Sequence, residues 1–225
     1  MKDSRVFFTT ILFAVGISIF TPNTSSCKSS NESRDYNGAY SNDYLNRIAF
    51  PMGGMGAGMI CLEGTGAISH VSLKHQMDFF HEPAAYAALC IKGENNTAKV
   101  LEGPAPDWKI FGRPASARGA ERTTYGLPRF ESAGFLARFP FGQINMHDAD
   151  IPLDVRLTGW SPFVPGDPDA SSLPVAALEY TFANTTSKIV EAVFSYNTPN
   201  FMKSSSRMGG SLATDAILSM ENGFI

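Results

Sequence analysis

The chain has 225 residues, of which 44% are hydrophobic and 17% are charged, and its formal net charge is −3. This composition can fill a hydrophobic core, which argues against a wholly disordered chain, and no basic stripe points to a nucleic-acid partner. The 20 glycines and 14 prolines favour a turn-rich β protein over a helical bundle. A chain of this length suits one or two domains.

The first 26 residues are predicted to be an export signal. A basic start precedes an apolar stretch at 6–20, which is too short and too polar to span a membrane comfortably. Cys27 follows shortly afterwards, and the stretch resembles the lipobox of bacterial lipoproteins, although Thr24 departs from the usual aliphatic residue. We therefore expect Cys27 to be lipidated and to anchor the protein to a membrane, on the periplasmic or cell-surface side. The alternative is a plain secreted protein that lacks Cys27 or keeps it free.

The polar stretch 27–44 predicts a flexible tether, and the folded domain is expected over residues 45–225. Short apolar runs bounded by turn residues predict four early strands, at 59–62, 67–73, 84–91 and 97–101. Residues 102–129 are predicted to form a long proline-rich loop. The run 130–146 predicts strand structure with a bend or bulge near Gly142, where the apolar phase changes.

The clearest alternation lies at 175–196. Apolar residues fall on one face of the run 175–183, and again on one face of the run 189–196. A turn at Asn184–Lys188 between them predicts a hairpin. Together these runs predict an all-β fold, an antiparallel two-sheet β-sandwich. Residues 223–225 look like the start of another strand, so the C-terminal edge of the sandwich is expected to be incomplete.

Two patterns that could indicate a cofactor or a metal are weak. The run Gly53–Gly58 has the spacing G-x-G-x-G and precedes a predicted strand, so it fits neither a dinucleotide fingerprint nor a P-loop. Three histidines and two acidic runs match no common zinc or calcium spacing, namely His70, His75, His81, His147–Asp150 and Asp167–Asp169. We expect no cofactor and no metal.

Aromatic residues and cysteines leave alternatives open. Trp160 and Phe163, with Asp167, lie in a proline-rich loop, where they could contact a sugar or pack at a domain interface. Trp108 and Tyr125 are further candidates for stacking on a sugar ring. Cys61 and Cys90 lie in apolar runs, and either a disulfide or two buried thiols would explain them.

The glycine-rich run Phe50–Met59, the loop Leu157–Asp167 and the strand pair at 175–196 resemble the N-terminal domain of family 116 glycoside hydrolases, over roughly residues 48–225. That family includes the bile-acid, non-lysosomal β-glucosidases. The resemblance implies an N-terminal β-sandwich that packs against a C-terminal α/α toroid. The toroid hydrolyses β-glucosidic bonds with retention, through a Glu nucleophile and an Asp acid/base.

No residue of this chain matches the catalytic motifs of that toroid, so no catalytic residue is carried over. Glu179 and Glu191 are expected to be solvated charges on the outer faces of the predicted hairpin. The chain alone is therefore expected to be inactive, as a fragment whose partner is the C-terminal α/α catalytic domain and whose ligands are β-glucosides or glycans. Two alternatives remain: a surface lipoprotein that binds glycans without cleaving them, and a scaffold for a separate catalytic chain.

Overall fold

Antiparallel strands carry the fold of the region that the computed structural model describes, which is residues 34–73, 77, 82–94, 96–110, 125–198, 218–220 and 223–224. In chain order the strands are β1 (Tyr40–Ser41), β2 (Ala49–Met52), β3 (Met59–Glu63), β4 (Ile68–Ser72), β5 (Tyr86–Ile91), β6 (Thr97–Val100), β7 (Ser132–Arg138), β8 (Phe141–His147), β9 (Leu153–Trp160), β10 (Ala177–Asn184), β11 (Ala192–Asn197), β12 (Ser219–Met220) and β13 (Gly223–Phe224). Between them lie a 3-10 turn (Asn42–Leu45) and the helices α1 (Asp107–Ile110) and α2 (Pro168–Ser171).

The largest sheet has five strands in the order β1-β7-β8-β9-β10. Two sheets have three strands each, in the orders β2-β3-β4 and β11-β5-β6, and β12 pairs with β13. All of these pairings are antiparallel. The predicted all-β, antiparallel fold is confirmed.

One hydrophobic core joins the five-stranded sheet to both three-stranded sheets. In β9 the buried residues alternate with more exposed ones, so Leu153, Val155 and Leu157 face inward. The three-stranded sheets contribute Met52, Leu62, Ala87 and Leu89 to the same cluster. Each large apolar side chain buried in this way stabilises the fold by about 1.5–3 kcal/mol. The result is a sandwich-like arrangement in which one face of the five-stranded sheet is covered.

The predicted hairpin at 175–196 is wrong. Strand β10 pairs along its whole length with β9, whereas β11 pairs with β5 in a different sheet. Tyr180 and Phe182 do meet Phe194, with ring centroids 5.3 and 5.8 Å apart, but the contact joins two sheets. The apolar alternation therefore predicted the inward face of β10, whereas every residue of β11 is exposed. The choice of partner strand depended on residues far away in the sequence.

Three other regions differ in detail from the prediction. The run 130–146 contains two strands, β7 and β8, joined by a turn at Phe139 and Pro140 rather than bent at Gly142. Gly142 lies within β8, where a Cβ would come within 2.9 Å of the Phe50 ring. The predicted loop at 102–129 contains α1, and its residues 111–124 lie outside the described residues. In the part of the chain that the structure describes, regular structure begins at β1, within the predicted tether.

Candidate functional site

The glycine-rich run Phe50–Met59 contacts the proline-rich loop directly. This loop is the connection 161–176 between β9 and β10, and the contacting residues Gly53 and Ser161 are 108 residues apart. The backbone N–H of Gly53 donates to Ser161 Oγ at 2.6 Å, and the N–H of Met55 donates to the Ser171 carbonyl at 2.9 Å. A Cβ on Gly54 would lie 2.2 Å from the Leu173 carbonyl oxygen, closer than any real contact. Glycine is therefore required at residue 54 because the two backbones touch there.

Internal hydrogen bonds hold the proline-rich loop in shape. Asp167 is the N-cap of α2, and its Oδ1 accepts the Ala170 N–H at 2.9 Å. The buried Ser171 hydroxyl accepts the N–H of Val164 at 3.0 Å and donates to the Val164 carbonyl at 3.1 Å. Asp167, predicted as an interface or sugar contact, thus has a clear structural role within its own loop.

The two loops, together with the turn between β7 and β8 that contains Phe139, present exposed apolar side chains. We call them the paired-loop surface: Met55, Phe139, Phe163, Val164 and Leu173. Between 37% and 67% of each residue is exposed. The Phe139 and Phe163 rings meet edge to face with centroids 4.9 Å apart. Single exposed apolar residues are ordinary, but a group of them on a preformed surface is typical of a site that binds another molecule.

Trp160 belongs to a neighbouring part of the molecule. It is the last residue of β9 and is partly exposed, and its ring lies 6.4 Å from that of Phe141, its cross-strand partner in β8. The structure therefore gives the two predicted aromatic contacts different ring partners, since Phe163 contacts Phe139 edge to face and Trp160 lies tilted against Phe141.

Comparison with protein families matches residues 49–220 to the domain described as beta-glucosidase 2, glycosyl-hydrolase family 116 N-term. The chain belongs to this family. The matched region contains both loops of the paired-loop surface and strands β2 to β12. Nothing among the curated proteins matches the chain.

A buried ionic cluster in this family 116 N-terminal domain was not predicted from the sequence. Lys109 Nζ lies 2.5 Å from Glu63 Oε1 and 2.9 Å from Glu82 Oε1, and the Tyr125 hydroxyl donates to Glu82 Oε2 at 3.0 Å. Burial, together with the charge of Glu82, raises the pKa of Tyr125 well above its usual range, so this phenol stays protonated. The side chain of Lys109 is only 3% exposed.

Two carboxylates held close together invite comparison with the acid pair of a glycosidase. In this cluster, however, the Lys109 ammonium lies between Glu63 and Glu82, and the side chains of both acids are at most 10% exposed. A sugar has no access to them. The cluster binds the segments around residues 63, 82 and 109 together, and its role in the family 116 domain is structural.

Trp108 and Tyr125, the other predicted sugar contacts, lie beside cations of the protein itself. Arg47 Cζ lies 4.7 Å from the centre of the Trp108 ring, and Arg129 Cζ lies 5.2 Å from that of Tyr125. The Trp108 indole N–H also donates to the Asn46 carbonyl at 3.1 Å. These contacts explain the positions of both rings without a ligand.

The acidic run at 147–150 is organised around a lysine. Both oxygens of Asp148 lie 2.6 Å from Lys99 Nζ, and they also accept the backbone N–H groups of Glu131 and Asp150. Burial of Asp148 acts to raise its pKa, but the hydrogen bonds from Lys99 and the two N–H groups outweigh it, so the pKa of Asp148 is lowered. This carboxylate serves the fold.

Among the described residues, no group of three or more histidine, cysteine or acidic side chains is arranged to hold a metal ion. His75 and His81 lie outside the described residues, while His70 Nδ1 lies 2.6 Å from Ser69 Oγ. No helix in the described part of the chain is long and apolar enough to cross a bilayer.

Cys61 and Cys90 are both free, so these residues are thiols rather than a disulfide. Glu179 lies in β10 and Glu191 directly precedes β11, and these two strands belong to different sheets rather than to one hairpin. Glu191 instead forms an exposed ion pair with Lys92, at 2.6 Å.

Proposed function

We propose that this chain is the accessory N-terminal β-sandwich of a β-glucosidase-type glycoside hydrolase, and that it packs against a C-terminal α/α catalytic domain. The match to the family 116 N-terminal domain over residues 49–220 carries this proposal. In this proposal the catalytic domain supplies the Glu nucleophile and the Asp acid/base of a retaining mechanism.

The paired-loop surface is the docking site that we propose for the catalytic domain. Met55, Phe163 and Val164 come from the two sequence motifs that resemble the family, and each apolar side chain of the surface is exposed in this chain. The contact of Gly54 with the Leu173 carbonyl fixes both loops before docking, so little conformational entropy would be lost on association. A surface of this kind gives affinity through burial of apolar area.

The experiment compares three samples: the mature chain, a family 116 catalytic domain from the same genome, and a mixture of the two. We expect no hydrolysis of a chromogenic β-glucoside by the chain alone, and a complex in the mixture by size-exclusion chromatography with light scattering. Activity that rises on mixing separate chains would favour the scaffold role. Turnover by the chain alone, abolished by changing one of its carboxylates, would overturn the proposal.

Variants of the surface sharpen this test. Phe163→Asp with Leu173→Asp places two charges on the paired-loop surface and is expected to weaken the complex by at least about a hundredfold. The matched control is Ile189→Asp, which changes a 99% exposed apolar residue of the β10–β11 connection and should leave association unchanged. Equal loss in both variants would argue against the paired-loop surface as the docking site.

We also propose that the protein is exported and anchored through a lipid on Cys27. The basic start, the apolar stretch 6–20 and the cysteine that follows support this proposal. Such an anchor would hold the accessory domain, and a catalytic domain bound to it, at a membrane surface without a membrane-spanning segment.

A further inference from the structure

The five-stranded sheet has an outer face, opposite the core, whose residues follow a regular pattern. Register pairs Phe141 with Trp160 in a first row, and Gln143 with Thr158 and Glu179 in a second. A third row contains Asn145, Arg156 and Thr181. The residues between them, such as Ile144 and Leu157, are buried on the other side. Across β8, β9 and β10 this face thus carries an aromatic pair at one end and polar rows beyond it, and Leu136 of β7 lies beside Gln143 in the second row.

The aromatic pair forms an apolar platform at the sheet surface. Phe141 is 42% exposed and Trp160 is partly exposed, and their rings are inclined at 49° with centroids 6.4 Å apart. Neither ring is part of the hydrophobic core. Aromatic rings in this situation attract ligands that have one apolar face and one polar edge, because the ring covers the apolar side and leaves the polar groups in water.

The polar rows lead into a cleft of about 460 Å³ on the same face, lined among others by Asn145, Arg156 and Thr181. Arg156 Nε donates to Asn145 Oδ1 at 2.9 Å, which holds the guanidinium along the sheet. His147 and Asp154 lie 3.9 Å apart at the far end. Donors and acceptors alternate here, and cationic and anionic side chains are interspersed, so the cleft suits hydroxyl groups better than a strongly charged ligand.

We propose that this outer face binds a neutral glycan chain, with one sugar ring on Phe141 and Trp160 and the following sugars hydrogen-bonded by the polar rows. Four residues along a strand separate the first row from the third, which is about 13 Å, long enough for a short oligosaccharide. The site is non-catalytic, and it does not need the catalytic domain. Only the choice of β-linked glucose as the probe rests on the proposed function.

The test is isothermal titration calorimetry of the mature chain with β-1,4- and β-1,3-linked glucotetraoses, and with a charged oligogalacturonate as the negative probe. We expect binding of at least one neutral probe, and about a tenfold or greater loss of affinity in Trp160→Ala and in Phe141→Ala. Arg156→Ala is expected to weaken binding severalfold. Thermal unfolding of each variant shows whether the sheet remains folded.

Phe163→Ala is the matched control, since it removes a similarly exposed aromatic ring from the paired-loop surface and should leave glycan affinity unchanged. Absence of binding to both neutral probes by the folded wild-type chain would overturn the proposal, as would equal losses in Trp160→Ala and Phe163→Ala. If Trp160→Ala instead disrupts the complex with the catalytic domain, and no glycan binds, the outer face is a domain interface. Glycan binding that requires Trp160, together with failure of the wild-type chain to form the complex, would overturn the docking proposal only.

Discussion

Gly54 and Leu173 touch backbone to backbone, with no room for a single methyl group between them: a Cβ on Gly54 would lie 2.2 Å from the Leu173 carbonyl oxygen. The obstructing atom belongs to the main chain, so it cannot move aside as a flexible side chain would. This contact joins the glycine-rich run to the proline-rich loop between β9 and β10.

Gly54→Ala is therefore expected to destabilise the fold by about 1–3 kcal/mol, the usual effect of forcing extra volume into a packed contact. Urea unfolding of the mature chain, followed by tryptophan fluorescence, measures this change. The control is Gly126→Ala, where no atom lies within 4 Å of the added Cβ. That variant should remain within about 0.5 kcal/mol of the wild type. Equal stability of Gly54→Ala and the wild type would show that the loops do not touch.

Lys109→Ala is expected to destabilise the protein by about 3–5 kcal/mol, because it leaves the carboxylates of Glu63 and Glu82 buried without their shared cation. Lys92→Ala removes a lysine whose ion pair with Glu191 is exposed, and its effect should be too small to measure. Thermal and urea unfolding of both variants give the comparison. A stable Lys109→Ala protein would mean that water reaches the acidic pair.

The lowered pKa of Asp148 indicates how the stability of the protein should change in acid. Its pKa is lowered in the folded state, below the ordinary value of 3.8, so its contribution to stability is fully present above that value and is lost as pH falls through the folded pKa. Asp148→Asn should therefore be less stable than the wild type at pH 7, and should lose less stability on acidification towards pH 2.

The measurement is the free energy of unfolding in urea across this pH range. Asp154→Asn serves as the control, because the Asp154 side chain is 67% exposed and should change neither the stability nor its pH dependence. If Asp148→Asn and the wild type show the same acid-dependent loss, the Lys99–Asp148 contact does not govern this part of the pH profile.

The two cysteines of the domain should differ in reactivity. Burial, and then the charge of Glu63, raises the pKa of Cys61 to about 11, so its thiolate is scarce at pH 8. Cys90 is only partly buried. In a Cys27→Ser background, a thiol reagent should modify Cys90 at least about tenfold faster than Cys61 in the native protein. In urea, where the protein is unfolded, the same reagent should modify both cysteines. Failure to label either cysteine in urea without reductant would reveal a disulfide.

Local patterns in the sequence predicted part of this fold. Alternation at Leu178, Tyr180 and Phe182 predicted the buried face of β10, and these residues do pack against the core. The alternation of Leu153, Val155 and Leu157 was equally regular, yet β9 was not predicted, although it is paired on both sides within the five-stranded sheet. Which strands pair depends on contacts distant in the chain, and no local period encodes them.

The site was harder to predict than the strands. The ion pairs of Lys109 reach residues 27 and 46 positions away, so neither has a spacing that a sequence motif could show. By contrast, the sequence did show that Trp160 and Phe163 are candidate aromatic contacts. It could not show that Trp160 lies on a sheet face and Phe163 on a loop surface, because this depends on how β8 and β9 pair. Residue type thus indicated the candidate contact residues, and the strand pairing placed them on two surfaces, the outer face of the five-stranded sheet and the paired-loop surface.

Cys27 provides the last prediction, that of a lipid anchor. If the cysteine becomes the lipidated first residue of the mature protein, the wild-type chain expressed in bacteria should enter the detergent phase on Triton X-114 partitioning, since several acyl chains together give stable membrane binding. Mass spectrometry of the N-terminal peptide should show the added lipid. Cys27→Ser should move to the aqueous phase, whereas Cys90→Ser should behave as the wild type does. A wild-type protein found in the aqueous phase, with an unmodified N-terminus at another residue, would establish the plain secreted form instead.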